Sequence, residues 1–188
     1  MRKLIVSEWI SLDGVFDADP QYFGKWWMPY HSEERATHIT KTIGSADALL
    51  LGSTTYSMLA PYWSTQKNDD NGPAAKLNSM AKYVVASTPP EFLWNNTQKI
   101  IKENVVEEIR KLKNDTGGNI LILGSAILTQ SLIEADLIDE YRFLISPIIM
   151  GEGKRFFKEE ATTTKLALIE TKTLPLGVIA LVYETAKK

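Results

Sequence analysis

The chain has 188 residues, 21 Lys and Arg against 23 Asp and Glu, a net charge of -2 and no cysteine. That length buries about 70% of the unfolded surface, so one core suffices without staples. The missing cysteines exclude disulfides, thiolate metal sites and thiol nucleophiles, and the scattered, balanced charge excludes the field that gathers nucleic acid.

Residues 3–10 open the chain as a strand, because Ser7 and Glu8 interrupt the apolar run before it reaches signal-peptide length. No stretch approaches the roughly 18 apolar residues that span a bilayer, and the expectation is a cytoplasmic protein with no membrane partner. Glu8 shares a strand face with Leu4, Val6 and Ile10, which makes it a candidate for burial and abnormal titration. Ser11-Leu12-Asp13-Gly14-Val15 then reads as a turn, where Asp13 could hold a substrate amide or relay a proton. Trp26, Trp27 and Trp63 fall in loops or near loop ends, as core satellites or as rings for stacking on a heterocycle.

A helix is expected over 32–43, with Glu33 and Glu34 as partners of its N-terminal dipole. His31 and His38 are spaced to share a helix face, but they have no acidic company and no metal site is expected. Ala48-Leu49-Leu50-Leu51, within a strand over 47–52, lacks period-two alternation and belongs in the sheet centre. Helices over 55–60 and 73–80 flank a polar, turn-rich stretch at 61–72, and a strand follows over 82–87. In the helix over 104–113, Val105, Val106, Ile109 and Leu112 form a stripe that Gly117-Gly118 ends. A second central strand over 119–123, a helix over 125–134 and a strand over 138–149 come next. The segments 165–173 and 178–185 flank Pro175-Leu176-Gly177 with no room for a helix and read as an antiparallel hairpin. The fold class is therefore α/β, one domain over 1–188: three layers, a mostly parallel central sheet with helices on both faces, closed by a C-terminal antiparallel hairpin.

Two strand-to-helix turns carry the chemistry. Leu51-Gly52-Ser53-Thr54-Thr55 and Leu123-Gly124-Ser125-Ala126 each lead a buried strand through glycine into a helix start, where unpartnered backbone N–H groups suit a phosphate. Either alone also reads as an ordinary N-cap. Both would lie at the carboxyl edge of the sheet, where ligands of open α/β folds bind, and Ser87-Thr88 adds hydroxyls there. Neither turn is GxGxxG, and Met150-Gly151-Glu152-Gly153-Lys154-Arg155 is not a P-loop.

Taken in order, Ser11 to Val15, Leu49 to Tyr56, Gly124 to Leu128, Ala135 to Tyr141, Pro147 and Gly151 to Phe157 resemble the dihydrofolate-reductase-like superfamily over nearly the whole chain. More narrowly, the chain is similar to stand-alone relatives of the C-terminal reductase domain of bifunctional riboflavin-biosynthesis deaminase-reductases. The resemblance implies NADPH as cofactor, with Gly52, Ser53, Thr54 and Thr55 and Ser87-Thr88 on its adenosine side and Gly124, Ser125 and Ala126 under its pyrophosphate. It further implies hydride transfer to a pyrimidine- or pteridine-like molecule, as in a 5-amino-6-(5-phosphoribosylamino)uracil reductase, Asp13 as a substrate contact, and a homodimer contacting through 138–149 and 165–185. The chain departs from the pattern in three places. Ser53 stands where the family often has an Arg that meets the 2′-phosphate, which leaves NADH open; Gly124-Ser125 replaces Gly-Gly; and the first helix brings no clear catalytic carboxylate. These departures keep a rival alive, a non-catalytic nucleotide-binding or ligand-sensing module on the same fold.

Overall fold

The two uninterrupted apolar runs form neighbouring strands, and the remaining strands extend the sheet from them. A computed structural model of the chain describes residues 1–17, 26–66, 72–91, 93–161 and 163–186. Its elements in chain order are β1 (Leu4–Ser11), β2 (Val15–Asp17), α1 (Glu33–Gly44), β3 (Ala46–Gly52), α2 (Ser53–Trp63), α3 (Pro73–Ser79), β4 (Ala81–Val85), β5 (Thr97–Ile101), α4 (Val105–Asn114), β6 (Asn119–Leu123), α5 (Ala126–Glu134), β7 (Glu140–Ser146), β8 (Lys154–Arg155), β9 (Leu166–Thr173) and β10 (Ile179–Thr185). The main sheet has eight strands in the order β5-β4-β3-β6-β1-β7-β10-β9. From β5 to β7 every neighbouring pair is parallel, and β10 turns antiparallel between β7 and β9. The short β2 and β8 pair apart from it.

Because successive strand residues point to opposite faces, β1 feeds two cores. Leu4, Val6 and Ile10 join Leu50, Ile122, Ile109 and Leu132 on the side of α4 and α5. Ile5 joins Leu49, Leu51, Ile43, Tyr56 and Leu77 on the side of α1, α2 and α3. The central residues Leu49 to Leu51 and Ile120 to Ile122 are wholly buried, each worth about 2 kcal/mol of hydrophobic burial.

The amino edge of the sheet is held by polar groups that find partners inside the fold. The Arg2 guanidinium donates to Asp47 and to the Gly118 carbonyl, while the Gly118 N–H donates to the same carboxylate. A side chain at Gly117 would meet Asp47 at 3.1 Å and Arg2 at 3.2 Å, and its φ of +140° suits only glycine. Lys82 is fully buried, donates to the Asn78 and Met80 carbonyls and lies 4.6 Å from the Trp94 ring centroid; burial pushes its ammonium down to about 8. The Tyr56 hydroxyl accepts from the Trp94 N–H at 2.6 Å and pairs with the Thr97 hydroxyl, pinning the segment before β5 onto α2.

Three features depart from the sequence reading. β5 gives no strand signal in the sequence: Thr97-Gln98-Lys99-Ile100-Ile101 is an edge strand with polar, half-exposed positions and no apolar run. α2 continues through Pro61 to Trp63 instead of stopping at residue 60, although Pro61 has no N–H to give the Ser57 carbonyl. His31 precedes the Ser32 N-cap, so it does not share a helix face with His38. Among the described residues there is no helix long and apolar enough to cross a membrane and no cluster of His, Asp and Glu fit to hold a metal ion.

Candidate functional site

β3 and β6 are adjacent and parallel, with Leu50 opposite Ile122, so the turns that follow them leave the sheet side by side. Gly52 caps α2 and has no side chain with which to satisfy that helix's first amides. Gly124 and Ser125 both adopt left-handed backbone, φ +62° and +61°, before α5 begins at Ala126. Ser125 does not cap α5 either. Its hydroxyl turns across the gap, accepting from the Gly52 N–H at 2.8 Å and donating to the Thr55 hydroxyl at 2.9 Å. The packing is equally close: a Cβ at Gly52 would lie 3.3 Å from Ser125 Oγ, and one at Gly124 would lie 3.2 Å from the Thr55 methyl.

The two helix starts thus sit side by side, without side-chain caps and with positive dipole ends toward the same edge. Ser53 and Thr54 are exposed there, and Thr55 is engaged by Ser125. Ser87 and Thr88 form an exposed bend past β4, whose Val85 pairs with Gly52, so they flank the first turn. Beside α5 an open cleft of about 400 Å³ runs between Ala126, Ile127 and Gln130 on the helix and Phe16, Gly153 and Phe157 opposite, within the size range of small-molecule sites. A void under α1, lined by Ser7, His38 and Arg142, measures only about 10 Å³, room for one water. Burial there pushes the His38 imidazole below its usual range.

Asp13 follows the carboxyl end of β1, the strand beside β6. Its carboxylate accepts from the Ser11 hydroxyl at 2.6 Å and from the Met150 and Gly151 N–H groups at 3.1 and 2.9 Å, fastening the end of β1 to the segment after β7. These donors pull the carboxyl down to about 2. Arg155 adds a bond to the Asp13 carbonyl. Glu8 lies nearer the turns: it is half-buried, with Oε1 accepting from the Trp9 N–H at 2.9 Å and Oε2 3.7 Å from where a Gly124 Cβ would sit. Its place on the β1 face of Leu4 and Val6 was legible in the sequence; its approach to Gly124 was not, since it depends on β6 lying beside β1.

The sequence model of the RibD C-terminal domain family matches residues 2–180. The chain belongs to this family. It is 32% identical over 97% of its length to the uncharacterized protein YyaP of Bacillus subtilis (strain 168), 94% of which is covered. The structure is similar to that of a putative riboflavin biosynthesis protein from Shewanella sp. PV-4, with a TM-score of 0.76 and 21% identity over 98% of this chain and 99% of that one. It is also similar to dihydrofolate reductase from Enterococcus faecalis complexed with NADP(H), with a TM-score of 0.60 and 17% identity over 98% and 97%. The fold is dihydrofolate-reductase-like.

The Ser125→Ala variant leaves the Gly52 N–H without its acceptor and is expected to lose about 1–3 kcal/mol in urea unfolding. Ser125→Gly, which adopts left-handed backbone freely, is expected to lose less; equal stability of all three proteins would refute the clasp. For Asp13 the folded carboxyl titrates below the unfolded one, so its contribution is present above about pH 4 and disappears as pH falls toward 2. Melting temperature measured across that window should drop more steeply in the native protein than in Asp13→Asn, and parallel curves would contradict the assignment.

Proposed function

We propose that this chain is a reductase that passes hydride from NADPH to a pyrimidine- or pteridine-like small molecule, of the 5-amino-6-(5-phosphoribosylamino)uracil reductase type. The observation that carries the reading is the convergence of the Gly52 and Gly124 turns through Ser125, which directs two uncapped helix starts at one place. Their chemistry fits a pyrophosphate: amide donors and positive dipole ends, brought together because the two glycines let Ser125 and Thr55 pack against the backbone.

In this reading Gly124, Ser125 and Ala126 hold the pyrophosphate, while Gly52, Ser53, Thr54, Thr55, Ser87 and Thr88 line the adenosine side. Ser53 brings a hydroxyl without charge, so discrimination between NADPH and NADH is modest. Bound there, the reduced nicotinamide supplies the hydride; the protein supplies position and a proton. Glu8 is our candidate for the proton source, because its carboxyl, carried by β1, stands beside Gly124. Asp13 acts as a positioning residue, holding the β1 turn to the 148–151 segment.

The purified protein should shift or quench NADPH fluorescence and oxidise the cofactor in the presence of a flat heterocyclic acceptor; no optical change at millimolar NADPH would end this reading. Glu8→Gln should keep cofactor binding while turnover falls by about 10²–10⁴. Binding without oxidation by any acceptor would instead favour a ligand-sensing module.

We also propose a homodimer. β7 is paired on both sides and mostly buried, so the free surface belongs to β9, the sheet edge, whose eight residues are all exposed, with Leu168 and Ile169 53% and 56% accessible. A long apolar edge is a template for pairing, and a second copy would cover it. Sedimentation at micromolar concentration should give a dimer that Leu168→Lys shifts toward monomer; a monomeric native protein would rule the dimer out.

A further inference from the structure

α1 meets the sheet through a polar stripe. His38, Thr42 and its C-cap Ser45 follow one another at helical spacing, and beneath them β7 presents Arg142. The Arg142 guanidinium donates through Nη1 to the Ser45 hydroxyl at 2.9 Å and through Nε to Glu140 at 2.6 Å, so it ties the end of α1 to β7. Glu140, on the same face of β7, also accepts from Lys3. Paired residues of neighbouring strands share a face, which sets Ser7, Arg142, Val182 and Glu170 in one row across β1, β7, β10 and β9, with Lys172 in the next row. His38 and Thr42 meet this row at the void under α1, whose volume of about 10 Å³ admits one water between His38, Ser7 and Arg142.

His38 is half-buried there. Burial holds its imidazole below the usual range, and the charges acting on it are Glu170 and Lys172 from β9, Arg142 from β7 and Lys41 from α1 itself, while β1 brings the uncharged Ser7. Cations thus outnumber the one anion. As the neutral base the ring sits beside the guanidinium without repulsion; as the acid it is a second cation against Arg142, with one water at most to screen the pair. The folded chain takes up this proton less readily than the unfolded chain, so nothing is lost above about pH 6.5 and the seat of α1 weakens as pH falls below it.

The effect reaches the candidate site through the helix. His38 lies one turn from Arg35, whose guanidinium packs against the Trp9 and Trp27 rings. α1 ends where β3 begins at Ala46, so this packing stands toward the carboxyl edge of the sheet. We propose that His38 is an acid-operated latch: neutral, it lets Arg142 hold α1 to β7; protonated, it opposes that tie and loosens α1 together with the Trp9–Arg35–Trp27 packing. The latch goes beyond the reductase reading and stands without it, since neither cofactor nor acceptor takes part.

The chain has two histidines, so the imidazole resonances of the full protein are followed from pH 8 to 4.5 and assigned with His31→Gln. Amide hydrogen exchange, corrected for the intrinsic rate, is measured over the same range. The expected result is that His38 titrates below His31, that protection of the Ile39, Thr42 and Ile43 amides falls several-fold with the midpoint of His38, and that the indole N–H resonances of Trp9 and Trp27 follow the same curve while α4, on the other face, keeps its protection. His38→Gln, which carries no charge, should keep α1 protected through that window. Glu170→Gln, a change at an exposed position, removes the anion acting on His38 and should move the His38 titration and the loosening of α1 to lower pH together. A His38 that titrates at or above His31 or not at all in this range, an α1 whose protection ignores the His38 titration, or a His38→Gln protein that loosens like the native one would overturn the proposal, and the first two results need no variant at the latch to fold.

Discussion

A single hydroxyl, Ser125 Oγ, holds the two halves of the candidate site together. It lies between the ends of β3 and β6, accepting from one turn and donating to the helix that follows it. Parallel neighbouring strands bring their carboxyl ends to one edge, but the ladder stops at the last paired residues, and what comes next is free to diverge. The Ser125 bonds and the contact of the Thr55 methyl with Gly124 prevent that divergence. The left-handed backbone at Ser125 is unfavourable by roughly 1–2 kcal/mol for a residue with a Cβ, an amount comparable with the bonds its side chain makes. Ser125 thus has a physical role here, and the peptide bond before it is trans.

The same geometry explains why the amides at this edge remain available to a ligand. A serine at the start of a helix ordinarily turns its oxygen back onto the first-turn N–H groups. Here one turn ends in a residue without a side chain and the other commits its hydroxyl to its neighbour. The protein keeps donors at the carboxyl edge that it satisfies elsewhere. Polar groups at the amino edge are closed internally, as in the Arg2–Asp47–Gly118 clamp and the Lys82 carbonyl cage. This asymmetry between the two edges is an argument for function that no single motif makes.

Legibility followed the strength of the burial signal. Ala48 to Leu51 and Ile120 to Leu123 are apolar without alternation, and such runs are stable only where helices cover both faces of a sheet, so their central position could be read directly. β5 could not, because an edge strand keeps half its surface in water and carries polar residues there. Trp94 carries no local signal either: its burial depends on Tyr56 and Asn78, which are distant in sequence. Asp13 was legible as a turn residue, but the donors that occupy its carboxylate come from Met150 and Gly151, far along the chain.

By itself, then, the sequence determined the alternation of strand and helix, the two glycine turns and the hydroxyls beside them, because these follow from local periodicity and from the backbone freedom of glycine. The tertiary structure decided which groups meet. The pairing of β3 with β6 aims Ser125 at Gly52, the pairing of β1 with β6 carries Glu8 to Gly124, and the packing of α1 over β1 encloses Arg35 between two indoles. Strand order is a property of the whole core, since each strand takes the neighbours that let both faces be covered at once. Contacts between residues far apart in the chain inherit their geometry from that order and leave no local trace.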